Sequence, residues 1–188
     1  MQRVVDYFQK PGPENTPRCV QIAKQAVVEG LKHIVVATTT GSTGVLVAEA
    51  LSGTGANVVV VTHSAGFTGP NELELTETNR QKILSHGARI FTGTILTHSL
   101  ETALAAQFQG VYPTTLIAMA LRRLGQGMKV VCEIVMEACD GGMIPEGEEV
   151  LALAGTGRGA DTVAILRSAA SKRFLELKVL EILAKPRE

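Results

Sequence analysis

Apolar and polar positions along the chain switch between a helical and a strand period. Val20, Ala23, Val27 and Leu31 recur at helical spacing. Asn15 or Thr16 can cap the helix they define, with Pro17 at its favoured first position and an end near Gly30. His33–Ala37 is a short apolar strand. The pattern then predicts a helix over Gly44–Leu51, stopped by Gly53 and Gly55, and a strand over Asn57–Val61. That second strand is apolar throughout, as strands buried on both faces are. A polar stretch from Thr62 to Glu77 leads to a helix from Thr78 to Ser85 and a third strand, Arg89–Thr92. Two or three helices follow between Ser99 and Cys139, punctuated at Gly110, Pro113, Gly125 and Gly127. Two more strands are predicted at Glu149–Ala154 and Asp161–Arg167. Arg3–Phe8 and Leu177–Ala184 fit either an edge strand or a helix.

This alternation predicts an α/β fold, a three-layer α/β/α sandwich, built as one domain over residues 1–188. The glycine-rich loop between the last two core strands is too short for a crossover helix, so the fifth strand must run antiparallel to the fourth. The long helical excursion after the third strand returns the chain to the far side of the first. A mixed five-stranded sheet of order 3-2-1-4-5 results, with right-handed crossovers. Ligands of such sheets sit outside the carboxyl ends of the strands, where the order reverses between strands one and four.

Composition narrows the function. Lys and Arg total 18 and Asp and Glu total 18, so no basic excess exists to collect a phosphate backbone, and no nucleic-acid partner is expected. No apolar run is long enough to span a bilayer, and Met1–Lys10 carries no signal-peptide core. Cys19, Cys132 and Cys139 are odd in number without C-x-x-C spacing and read as small hydrophobes in a reducing compartment. A cytoplasmic protein without membrane contact is expected. The four histidines show no metal-ligand spacing, and no metal site is expected.

Two loops flank the expected crevice. The first, Thr38-Thr39-Thr40-Gly41-Ser42-Thr43, enters a helix and carries no charge. Unpaired amides at a helix N-terminus bind anions, and hydroxyls add donors, so the amides of Thr40 to Thr43 form a candidate phosphate cradle. An elaborate helix cap explains the same residues. The loop is not a Walker A motif, because no Gly-Lys-Ser/Thr follows. The second is Gly155-Thr156-Gly157-Arg158-Gly159-Ala160-Asp161. It leads into a strand, so the dinucleotide fingerprint fails its context test. It is either a wide hairpin turn or backbone packed against a ligand. Thr62, His63, Gly66 and Phe67, at the end of the second strand, and His98, after the third, are candidate ligand contacts or loop stabilisers. His33 and His86 sit before strands and read as structural. On the helix from Gly127 to Cys139, Lys129, Glu133, Met136 and Asp140 form a stripe beside the apolar face. Lys129 and Glu133 can pair at i,i+4. The stripe is an ordinary solvated flank, a pocket wall or a subunit interface.

Together these segments resemble the archaeal and bacterial stand-alone relatives of the pyruvate kinase C-terminal domain. The resemblance covers nearly the full length. It rests on Tyr7-Phe8, Pro11-Gly12, Asn15-Thr16, the Thr38–Thr43 loop, Val61-Thr62-His63 with Gly66-Phe67, and Gly93-Thr94 with His98. It continues through Gln126-Gly127, Lys129-Val130 and Glu133 to Gly155-Thr156-Gly157, Gly159, Ala160 and Asp161. It implies the same 3-2-1-4-5 sheet. It also implies a phosphate on the loop at Thr38 to Thr43, which is similar to the loop that grips a phosphate of the allosteric sugar bisphosphate in pyruvate kinases. The chain leaves no residues for the catalytic barrel, so pyruvate kinase activity is not implied. Flavin mononucleotide (FMN) in the crevice is implied, with Thr62, His63, Gly66, Phe67, His98, Gly155, Thr156, Gly157, Gly159 and Asp161 around it, and Asn15, Gln126, Lys129 and Glu133 as further pocket wall.

The expected function is therefore binding of a phosphorylated small ligand, FMN foremost. The alternatives are a flavin-dependent oxidoreductase, or another small-molecule enzyme, using the same pocket, and a sugar-phosphate sensor of allosteric type. A homo-oligomer, most simply a dimer, is also expected. Its interface would use Leu116, Met119, Ala120, Arg123, the Met136 flank and the apolar tail from Leu175 to Leu183.

Overall fold

The computed structural model describes residues 4–187. The elements are β1 (Asp6–Phe8), α1 (Thr16–Val28), β2 (His33–Thr38), α2 (Ser42–Leu51), β3 (Asn57–Thr62), α3 (Glu77–Ser85), β4 (Arg89–Thr92), α4 (Leu100–Phe108), α5 (Pro113–Leu121), α6 (Gln126–Asp140), β5 (Glu149–Ala154), β6 (Thr162–Arg167) and β7 (Lys178–Pro186). They form one sheet of order β1-β7-β6-β5-β2-β3-β4. The five strands expected from periodicity are contiguous in it, as β4-β3-β2-β5-β6, with β6 antiparallel to β5. The expected count of five is corrected to seven. Both ambiguous end segments are strands: β7 pairs antiparallel with β6 and parallel with β1. Arg3, the first residue of the expected N-terminal segment, lies outside the described residues.

Strand period two divides the core. Ile34, Val36, Val58, Val60, Leu151, Leu153, Val163 and Ile165 face α1, α2 and α3, against Cys19, Ala23, Ala26, Val47, Ala48 and Ile83. The intervening Val35, Val59, Val61, Val150, Ala152, Ala164 and Leu166 face α6, against Met128, Val131, Cys132, Val135 and Ala138. The middles of these central strands are buried on both faces, which explains their apolar runs; the buried polar residues Thr38, Thr62 and Thr162 stand at the strand ends. No helix among the described residues is long and apolar enough to cross a membrane.

Three expectations are corrected here. Asn15 does not cap α1 with its side chain. Its amide instead donates to the Lys10 and Gly12 carbonyls and shapes the loop ahead of the helix. The stripe on α6 is no solvated flank over most of its length: Lys129, Glu133 and Met136 are buried and Asp140 is exposed, with the segment after β4 folded onto Glu133 through Thr97. Met136 and Leu183 are both buried in their own chain and unavailable to an interface.

Candidate functional site

A cleft of about 600 Å³ opens at the carboxyl ends of β2, β3 and β5, at the reversal of strand order. The loop between β2 and α2 forms one wall. Gly41 adopts φ 99° ahead of the first helical residue, a conformation that favours glycine. A Cβ there would meet Asn79 and Leu75, so Gly41 turns towards α3, away from the cleft. Its amide donates to the Thr38 hydroxyl at 3.2 Å and is not free for a ligand, which corrects its place in the expected cradle. The remaining cradle is the first turn of α2, where the amides of Ser42, Thr43 and Gly44 have no carbonyl four residues back to bond. The loop is braced from α3: Asn79 and the Thr76 amide both donate to the Thr40 carbonyl, at 2.9 and 3.3 Å. Thr38, Thr39, Thr40, Ser42 and Thr43 line the cleft.

The β3 end contributes Thr62, His63 and Phe67 to the lining, and the segment after β4 contributes Ile95 and His98. His63 Nδ1 lies 2.6 Å from Glu74, which fixes its ring. The His63 and Phe67 rings are 4.3 Å apart and Phe67 and His98 6.1 Å, so the three form an aromatic group at the rim. Burial, then the nearby Lys129, pushes His98 below the usual histidine range, which leaves it neutral at pH 7. Gly66 does not line the cleft.

The hairpin between β5 and β6 divides in role. Gly155, Gly157 and Gly159 line the cleft. Gly157 (φ 77°) has open space where a Cβ would stand, whereas at Gly159 (φ 70°) a Cβ would fall on the Pro13 backbone. Gly159 is therefore a packing glycine as well as a lining one. Thr156 and Asp161 do not line the cleft. Asp161 is fully buried and accepts from the amides of Gly12 (3.1 Å) and Thr156 (3.0 Å) and the Thr162 hydroxyl (2.9 Å). It staples the hairpin to the loop before α1. Thr16 completes that join, its hydroxyl accepting from the Ala160 amide at 2.9 Å. Asn15 and Gln126 are likewise absent from the lining: Gln126 accepts from Arg122 instead.

Lys129 and Glu133 do line the cleft, joined by three charged residues outside the predicted site, Arg122, Arg158 and Glu137. Among the described residues neither arginine forms an ion pair; Arg122 donates to Gln126 at 2.9 Å, and both bring an un-neutralised positive charge to the cleft lining. Arg158 had a sequence signal, as the one charged residue inside a glycine loop at the switch point. Burial and the charge of Glu133 push the Glu137 carboxyl up to about 8. The cysteines take no part in the lining, and burial raises Cys19 to about 12 and Cys132 and Cys139 to about 11, which keeps their thiols protonated and poorly nucleophilic. Among the described residues no three His, Cys, Asp or Glu side chains gather as a metal site.

Fold and cleft together define an α/β/α domain with a ligand-sized crevice at its switch point, one wall a helix N-terminus. The chain matches the family described as pyruvate kinase, alpha/beta domain over residues 19–166, and it belongs to that family. Similar solved structures include two pyruvate kinases from Cryptosporidium parvum, at 17% and 15% identity, with TM-scores of 0.43 and 0.39. Each match covers 85% of this chain and 24% of the kinase, so the chain spans about a quarter of the length of those enzymes.

Proposed function

We propose that this domain binds a phosphorylated small ligand in the switch-point cleft, its phosphate on the first turn of α2. The observation that carries the reading is that turn: it has amides without helical partners and no side-chain anion, and its Ser42 and Thr43 line a cleft that also holds Arg122 and Arg158. FMN is the ligand we favour. The cleft volume lies within the range typical of small-molecule sites. The residues fit the molecule: the α2 turn takes its phosphate, and the rim group of His63, Phe67 and His98 offers faces to a planar ring. When bound, FMN supplies electron-transfer chemistry at that ring. A sugar phosphate uses the same cradle without the aromatic group.

Ser42→Glu tests the placement. Ser42 is exposed at the first helical position, where a carboxylate suits the helix dipole, so the fold is retained. The added charge repels a phosphate. Losing even one charge-assisted hydrogen bond costs about 1.5–3 kcal/mol, so FMN affinity measured by calorimetry should fall about 10- to 150-fold. An unchanged dissociation constant rejects the site.

We also propose a homodimer, through the face formed by α4 and α5. No residue of α4 is buried in its own chain, and Leu100, Leu104 and Phe108 follow one another along it, exposed, as are Leu116 and Met119 of α5, the helix joined to α4 by Thr114 donating to Glu101. Light scattering at micromolar concentration should return twice the chain mass. Leu104→Glu with Phe108→Glu should halve it, and a single-chain mass for the unaltered protein ends the proposal.

A further inference from the structure

The wall of the cleft on α6 carries chemistry that a phosphate grip does not use. Lys129, Glu133 and Glu137 stand at i, i+4 and i+8 on that helix, all lining the cleft, with exposures of 4%, 4% and 3%. They lie across the sheet from α2, since α2 packs on one face and α6 on the other. Charged side chains are almost never so buried unless they are matched. Glu133 is matched: one oxygen accepts both the amide and the hydroxyl of Thr97, each at 2.8 Å, and the other accepts from Lys129. Glu137 accepts the Leu96 amide at 3.3 Å. Lys129 is matched in charge by Glu133 but not in hydrogen bonds. An ammonium has three donors, and among the described residues Glu133 is its one hydrogen-bond acceptor. Two donors remain on a side chain that lines the cleft.

Charge decides what those donors can take. Lys129 is already neutralised by Glu133, so a second anion beside it would face the carboxylate as well as the ammonium. Glu137 keeps its proton at neutral pH, so the trio sums to zero and includes an acid O–H. Such a group complements an uncharged head bearing an oxygen acceptor.

Resting on the phosphate reading above, we propose that Lys129, Glu133 and Glu137 form a second subsite, which holds the uncharged oxygen-bearing end of the phosphorylated ligand, with Lys129 donating to a carbonyl or hydroxyl oxygen. The cleft is then a bipartite site, selective for organophosphates over phosphate itself. A heterocyclic carbonyl and a sugar hydroxyl share this chemistry, and two probes separate them.

The test compares inorganic phosphate, ribose 5-phosphate and FMN on the intact chain by calorimetry. The variants are Lys129→Met with Glu133→Gln, and Lys129→Gln with Glu133→Gln. Each removes both charges together, which avoids stranding one of them, and the glutamine still accepts from Thr97. Circular dichroism confirms folding. Affinity for FMN or ribose 5-phosphate should fall at least about tenfold, while that for inorganic phosphate stays within about twofold. Loss confined to FMN identifies a ring carbonyl, and loss on both probes a hydroxyl. Equal losses on all three probes, or no loss on either organophosphate, overturns the subsite and leaves the phosphate cradle standing. A native protein that binds none of the three overturns both.

Discussion

Asp161→Ala should cost this domain about 3–6 kcal/mol of stability, enough to unfold a large share of the molecules at ordinary temperatures. The side chain is fully buried and accepts three hydrogen bonds, two from backbone amides in segments far apart in the chain. Removing it strands the amides of Gly12 and Thr156. Each stranded buried donor costs about 1–3 kcal/mol, whereas a bond lost cleanly costs nearer 1. The cavity left behind adds to this. Asp161→Asn should cost less, because its carbonyl retains one acceptor. Urea unfolding followed by circular dichroism measures both. A loss below about 1 kcal/mol for the alanine variant would mean that water replaces the carboxyl, and that the join between hairpin and N-terminal loop rests on Thr16 and Gly159.

A second large effect concerns pH. The Glu137 carboxyl is raised by burial, then by Glu133, from an ordinary 4.5 to about 8 in the folded protein. Between those values the folded state holds one proton more than the unfolded state. Stability must therefore fall as pH rises from about 4.5 to 8, and the full penalty is present above 8. At about 1.4 kcal/mol per unit the total is on the order of 3–5 kcal/mol. Glu137→Gln is uncharged at every pH and still offers a carbonyl to the Leu96 amide. It should stabilise the protein at pH 9, change little at pH 5, and flatten the profile between. Urea midpoints at pH 5, 7 and 9 decide this, and parallel profiles for the two proteins would show that Glu137 is ionised throughout. Lys129, Glu133 and Asp140 act on the same carboxyl, so the profile reports the group they form together.

The amino-acid sequence by itself determined the layers and the place of the cleft. Short apolar, β-branched runs such as His33–Ala37, Asn57–Val61 and Glu149–Ala154 read as strands, the second as one buried on both faces, and the length of the loop before the last core strand sets its antiparallel return. Strand order follows, and the order puts a crevice at the loops after β2 and β5. The hydroxyl-rich turn was legible for the same local reason, since a helix start is written in adjacent residues. Other features depend on contacts between residues remote in sequence. The end segments carried too weak a periodicity to distinguish an edge strand from a helix, and pairing of β7 with β6 and β1 settled it. Asp161 looked like a ligand contact because it ends a glycine loop; its partner Gly12 is 149 positions away, and that bond turns the side chain into the core. Gly159 gained its packing role from Pro13 in the same way. Lys129 and Glu133 read first as an ordinary solvated flank, with a pocket wall or a subunit interface as the alternatives, because helical spacing says which residues share a stripe and nothing of what covers it. The segment from Ile95 to His98 covers it, withdrawing water from three ionisable groups at once, and only that tertiary contact makes their protonation and spare donors part of the site.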